Sequence, residues 1–278
     1  MKAALLEARG AILVDGPDAA EWLQGLITND IAKADADKAC FAALLSPQGK
    51  ILFDFLIHRR SSPDGYEFII DCAASQCPAL AKRLAMYRLR SKVGVRDMSA
   101  TIGIMAFWDI DESPAAAARR DPRHRGLGWR IAGERSTIAH DLPPNASAEN
   151  YAAMRISCGI PEGGTDFAWG ETFPHDVDMD ELDGVDFKKG CYVGQEVVSR
   201  VQHRGSARKR IRMLEFESGA VAVGTSITAG DMDLGIVTSV AGQTGLGMVR
   251  LDRLSEALSD GLVPKAGENL VTITTNTT

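Results

Sequence analysis

No two cysteines of this chain stand at the spacing of a paired metal or redox site. Cys40, Cys72, Cys77, Cys158 and Cys191 are odd in number and scattered, which argues against a zinc centre, a thioredoxin-like motif and a complete disulfide framework. Reduced thiols, no metal site and no permanently bound cluster are expected. The sequence also lacks an apolar run of the roughly 20 residues that a membrane-spanning helix needs. Its start, MKAALLEARGAILVDG, is too charged for a secretory segment. The expectation is a soluble, cytoplasmic protein without a membrane partner. There is no Gly-Lys-Ser/Thr phosphate loop, and Gly242, Gly245 and Gly247 do not form a dinucleotide fingerprint.

What is present is length and apolar content: 278 residues, 45% hydrophobic, enough to bury a core without staples. The net charge of −6 argues against nonspecific nucleic-acid binding. Charge is unevenly spread. Between Lys188 and Arg212 there are eight Lys and Arg, including Arg204 and Arg208, against one acid, Glu196, so an anionic partner would meet the protein there. Tyr192 is the only aromatic in that window, whereas single-stranded RNA readers interleave several. Direct nucleic-acid contact is therefore not expected.

Residues 11–31 read as strand, turn and helix, with Gly16-Pro17-Asp18 as the turn. Residues 40–60 read as a β-hairpin around Ser46-Pro47-Gln48-Gly49, and 66–71 as a further strand. An amphipathic helix is predicted from Ser75 to Leu89, with Pro78 tolerated in its first turn. Two more strands follow, in VGVRDM and ATIGIMAFW. Residues 109–126, with two prolines and no apolar face, read as an exposed connection whose basic residues are solvated. After Gly205 five short β-type runs separated by glycines suggest a small barrel. The uneven alternation favours an α+β class, with regions 1–205 and 206–278.

The stretch KKGCYVGQEVVSRVQHRG (188–205) carries the candidate chemistry. Gly190 and Gly194 bracket Cys191 and permit positive φ angles. A helix is predicted from Gln195, with Val197, Val198 and Val201 on one side and Gly205 as its stop. Cys191 precedes the helix N-terminus and has Lys188 and Lys189 nearby, a setting that favours thiolate. On these residues alone two readings stay open, a reactive cysteine or a small buried hydrophobe in a tight loop.

The string Lys189-Gly190-Cys191-Tyr192-Val193-Gly194-Gln195-Glu196, with Arg200 and Arg204-Gly205 after it, resembles the signature of the YgfZ family, folate-binding proteins related to the glycine cleavage T-protein. Gly16-Pro17-Asp18-Ala19, Leu45-Ser46-Pro47-Gln48-Gly49-Lys50, Tyr87-Arg88-Leu89-Arg90-Ser91-Lys92-Val93 and Gly159-Ile160-Pro161 agree in order. The resemblance implies a ring of α+β subdomains around a central folate cavity, closed by a C-terminal β-barrel. It implies an accessory factor for iron–sulfur cluster assembly or repair, binding tetrahydrofolate or a one-carbon or polyglutamylated derivative. Iron–sulfur client or assembly proteins would be its partners, and support of tRNA-thiolating radical enzymes would be indirect. Cys191 and Asp54 are the implied catalytic residues. Asp54, Ser157, Glu162, Lys189, Tyr192, Gln195, Glu196 and Arg200 are the implied cofactor contacts.

An aminomethyltransferase and a scaffold without folate are the alternatives; of two departures from the T-protein pattern, the first weakens the transferase and the second keeps the scaffold open. The acidic pair of the T-protein hairpin is here Phe53-Asp54. Adjacent strand residues face opposite sides, so an inward Phe53 would remove the acid. Ser157 stands where those proteins carry a glutamate that would pair with the pterin, and Glu162 or Asp166 could replace it.

Overall fold

The computed structural model describes residues 1–62, 65–205, 207–219 and 221–274. The Arg204 side chain, Ser206 at the expected boundary and residues 275–278 lie outside the described residues.

Five strands and two helices realise the expectations for the first hundred residues, and one further strand, β1, precedes them. β1 is Lys2–Leu5, β2 Arg9–Asp15, α1 Ala19–Gln24, β3 Cys40–Leu45, β4 Ile51–Ser62, β5 Gly65–Ala73, α2 Cys77–Tyr87 and β6 Gly94–Asp97. β2 to β6 make an antiparallel sheet in the order β3-β4-β5-β2-β6. Pro78 sits in the first turn of α2, where its missing N–H costs nothing. Side chains alternate across this sheet. Cys40, Ala42 and Leu44 of β3 join Phe53, Phe55 and Ile57 of β4 under α1 and α2, with Leu23, Leu80 and Leu84. Phe41, Ala43, Leu45 and Leu56 face the other way, into the central core with Trp108, Tyr151, Tyr192 and Ile211. The open question about the hairpin is thereby answered: Phe53 belongs to the helix layer, and Asp54 points to the central side.

A second sheet, in the order β1-β7-β9-β8, adds β7 (Ile102–Trp108), β8 (Arg119–Arg120) and β9 (Trp129–Glu134). Residues 109–126 are not the solvated connection expected from their composition. They supply β8, and Asp121 and Arg123 are 5% and 7% exposed, because each neutralises the other at 2.6 Å. α3 (Arg135–Asp141) follows, then α4 (Ala148–Ser157), which opens on a reciprocal capping box between Ser147 and Asn150.

α5 (Gln195–Arg204) leads to β10 (Lys209–Phe216), β11 (Ser226–Ala229), β12 (Met232–Ala241), β13 (Thr244–Arg250), α6 (Leu251–Ser259), β14 (Lys265–Ala266) and β15 (Asn269–Thr274). The strands close into a barrel in the order β10-β13-β12-β11-β14-β15, so no edge is left unpaired. Leu214, Phe216, Ile227, Leu234 and Val271 fill it. Its outer face joins the central core through Ile211 and Leu246. Among the described residues no helix is long and apolar enough to cross a membrane.

Candidate functional site

Two polar centres flank the β3-β4 hairpin. The first is the cysteine loop. Gly194 has φ +82°, and a Cβ there would lie 2.6 Å from the Ser46 carbonyl oxygen in the hairpin turn, so only glycine fits. Gly190 departs from expectation: it is outside the left-handed region, and a Cβ there would meet nothing within 4 Å. The loop is fixed at its start by Lys189, whose Nζ donates to the carbonyl oxygens of Gln24, Ile27 and Asn29 at 2.7, 2.7 and 2.8 Å. These carbonyls lie at and just beyond the end of α1, where the helix leaves acceptors unmatched. Asp186 accepts from the backbone N–H of Lys188 and Lys189. Tyr192 is buried in the central core, and burial raises its hydroxyl to about 12.

Between these fixed points Cys191 is exposed. The cationic support expected of Lys189 runs elsewhere. Its hydrogen bonds go to carbonyls, and burial pushes its ammonium down to about 8, opposed by Asp30, Cys40 and Asp186. Lys188 stays exposed. Glu196 and Arg200 form an exposed i,i+4 pair at 2.6 Å, and the Gln195 backbone N–H donates to Tyr192 O. Val198 anchors α5 in the core, and Val197 packs against Gly49. Cys40, Cys72 and Cys77 are buried and Cys158 is half-buried.

The second centre is a buried charge network about Asp54, four residues beyond Lys50 on β4 and so roughly 13 Å along the strand. Asp54 Oδ1 accepts from Trp169 Nε1 at 2.7 Å. Burial raises its proton affinity, with Trp169 and Arg9 opposing. Gly163 lies beneath this contact, where a Cβ would come within 2.3 Å of Asp54 Oδ1. Glu162 is held between Arg9 at 3.6 Å and Arg155 at 3.7 Å. Burial disfavours its charge, but the arginines outweigh that and lower its pKa. Behind it Asp71 binds Arg9 at 2.6 Å and Arg130 at 2.7 Å, Arg130 reaches Asp121 at 3.2 Å, and Arg155 reaches Asp166 at 2.7 Å. Both ring nitrogens of buried His58 and the Nε of Arg155 take no hydrogen bond among the described residues.

Ser157 does not join this centre. It is exposed at the end of α4, its Oγ donates to Met154 O at 2.7 Å, and it borders a shallow cavity with Lys2, Asp109 and Thr244. Asp54 and Glu162 are thus brought together, Lys189 to Arg200 form the separate loop and helix, and Ser157 stands apart from both. Sequence reasoning missed Arg9, Asp71, Asp121, Arg123 and Arg130. The available signal was a lone charge inside an apolar strand run, as in Phe68-Ile69-Ile70-Asp71 and Trp129-Arg130-Ile131.

Residues 6–108 match the GCVT N-terminal domain, and residues 208–274 match the CAF17 C-terminal beta-barrel domain. The mitochondrial iron-sulfur cluster assembly factor IBA57 of Mus musculus is 31% identical over 301 residues, covering 97% of this chain and 82% of that protein. That of Homo sapiens is 31% identical, covering 91% and 78%. The chain belongs to the IBA57 family. It spans little more than half of some fungal relatives: the mitochondrial IBA57 homolog of Mycosarcoma maydis is 34% identical, with 77% of this chain and 57% of that protein covered. A crystal structure of glycine cleavage system aminomethyltransferase T from Bartonella henselae superposes with TM-score 0.75 at 15% identity, covering 98% of this chain and 84% of that one. This shows the shared fold alone. The matched relatives carry the IBA57 name, so the resemblance to YgfZ holds at the level of this broader family and its T-protein fold. The expected cytoplasmic location is overturned, since these IBA57 relatives are named mitochondrial. The hydropathy argument tested for secretory and spanning segments, whereas mitochondrial targeting sequences are amphipathic and basic.

Proposed function

We propose that the protein is an accessory factor in iron–sulfur cluster assembly or repair, with Cys191 as its working group. The observation that carries this reading is an exposed thiol on a loop fixed at both ends, in a chain whose relatives are named iron-sulfur cluster assembly factors. A thiolate is the usual protein ligand of cluster iron. Cys191 would offer one transient thiolate ligand to a cluster handled as substrate between partner proteins, its proton passing to the solvent that surrounds it as the iron–sulfur bond forms. Lys189 and Tyr192 position it, while Gln195, Glu196 and Arg200 face the partner. Support of tRNA-thiolating radical enzymes as clients, which the resemblance to YgfZ implies, would then be indirect. We place the division between the two functional regions at 205/206.

Tetrahydrofolate is proposed at the Asp54 centre. The donor set there fits the group: an amino-pyrimidine edge offers N–H donors, and Asp54 and Glu162 are carboxylate acceptors beside a half-buried indole, Trp169. Asp54 Oδ2 takes no hydrogen bond among the described residues, which leaves an acceptor for the ligand. The inward Asp54 also favours a second reading, folate-dependent aminomethyl transfer, in which it would hold a proton near the one-carbon unit.

One pair of experiments tests these readings. Removal of the protein from cells should lower the activity of cluster-dependent enzymes several-fold, restored by the wild-type chain; unaltered activity rejects the assembly role. Calorimetry with tetrahydrofolate should give saturable binding that Asp54→Asn weakens, and no heat of binding rejects the folate assignment. Formation of methylenetetrahydrofolate from an aminomethyl donor by purified protein would replace the first reading with the second.

A further inference from the structure

At the far end of α5 from the cysteine loop, a cavity of about 430 Å³ opens where the helix meets the start of β10. Lys50, Arg208, Lys209 and Arg250 line it, against one acid, Asp176. Arg250 is matched outside by Asp252 at 2.9 Å. Asp176 is shared between the Phe173 backbone N–H at 3.1 Å and Lys209 Nζ at 3.5 Å. Lys50 lies 3.3 Å over the Phe173 ring and donates to the Glu171 carbonyl, and among the described residues no carboxylate is bonded to it. Arg208 is exposed, and its side chain makes no hydrogen bond or ion pair among the described residues, its carbonyl oxygen accepting from the Leu251 N–H. Three cations therefore share the cavity with a single carboxylate. Burial lowers the proton affinity of Lys50, Asp176 opposes this, and Lys209 lowers it again.

The wall also contains His175, which is 2% exposed. One ring nitrogen, Nε2, meets Gln202 Oε1 at 3.1 Å; the other, Nδ1, is buried with no hydrogen-bond partner among the described residues. A buried polar atom left unmatched is costly and usually marks a missing partner. With Nε2 donating to Gln202, Nδ1 accepts from a protonated oxygen, and becomes a donor to an anionic one when the ring is charged. The volume is that of a small-molecule site.

We propose that this cavity binds a small oligoanion, a single molecule carrying two or more carboxylate or phosphate groups. Arg208 and Lys209 take one anionic group at the mouth, and Lys50 takes a second deeper in, beside His175. The site goes beyond the cluster-assembly reading and does not depend on it, since neither Cys191 nor Asp54 lines it.

The test titrates the full chain by calorimetry and backbone NMR with inorganic pyrophosphate and, separately, with γ-linked triglutamate. The comparison is an Arg208→Gln/Lys209→Gln variant whose melting temperature matches the wild type. At least one probe should saturate, weaken about tenfold or more in the variant as two charge-assisted contacts are lost, and weaken with added salt. Resonances of His175 and Lys50 should shift with that probe. The better probe identifies phosphate or carboxylate as the natural group. Saturation by neither probe below about 10 mM, or equal affinity in the variant, overturns the proposal.

Discussion

At the turn of the β3-β4 hairpin the protein holds a thiol in solvent by fixing the backbone around it; a few residues along β4 it holds an acid, Asp54, on an indole N–H beside a network of matched charges. The cysteine loop has one lysine on three carbonyls and a glycine pressed to a neighbouring carbonyl, and among the described residues nothing bonds the thiol itself. The Asp54 centre is dense with partners: Arg9, Arg123, Arg130 and Arg155 are each no more than 7% exposed, and each pairs with a carboxylate. The difference teaches where stability and function separate. In the loop the stabilising residues are neighbours of the exposed thiol. In the buried centre Asp54 lies beside the charge network and is bonded to Trp169.

Breaking the buried side of the comparison should have the largest effect. Arg130→Met leaves Asp71 and Asp121 short of a counter-charge and Tyr151 Oη short of a donor. A loss of about 3–5 kcal/mol is expected in denaturant unfolding, as for other buried pairs cut on one side. Lys189→Met should cost about 2 kcal/mol, because three carbonyls at a half-buried helix end lose a charged donor. It should also loosen the Cys191 loop, read as faster amide exchange at Tyr192 and Gly194.

Asp54→Asn sharpens the contrast. Burial raises the folded pKa of Asp54 above its ordinary 3.8, so its stabilising contribution is complete below that value and fades as pH rises through the raised one. The asparagine variant should remain within about 1 kcal/mol of wild type near neutrality and lose this slope in a series of melts from acidic to neutral pH. The smallest stability effect belongs to Cys191→Ser. An exposed thiol with no partner among the described residues should change stability by less than about 0.5 kcal/mol.

Much of the architecture was legible because it follows from periodicity and turns. The hairpin at 40–60 is announced by Pro47 and Gly49 between apolar runs, and the barrel by glycine-spaced β runs after Gly205. α6 escaped because it follows β13 with no turn residue between them, so that Leu251 read as the end of the strand, although Leu251, Leu254 and Leu258 carry helical spacing. The cysteine loop was legible as a motif, and its fixing by Lys189 was not, since the carbonyls it meets come from residues 24–29. The arginine network was hidden for the same reason: Asp71 and Arg130 meet only across two sheets. Composition misled at 109–126, where charge was read as exposure while Asp121 and Arg123 buried each other.

The most direct test replaces the wild-type chain by Cys191→Ser in cells that lack it and measures cluster occupancy of a dependent enzyme, with the abundance and melting temperature of the variant measured alongside. Occupancy should fall several-fold while abundance and melting temperature stay at wild-type values. Full occupancy with the serine variant would contradict the account, since the side chain that the whole loop presents to solvent would then have no part in the work.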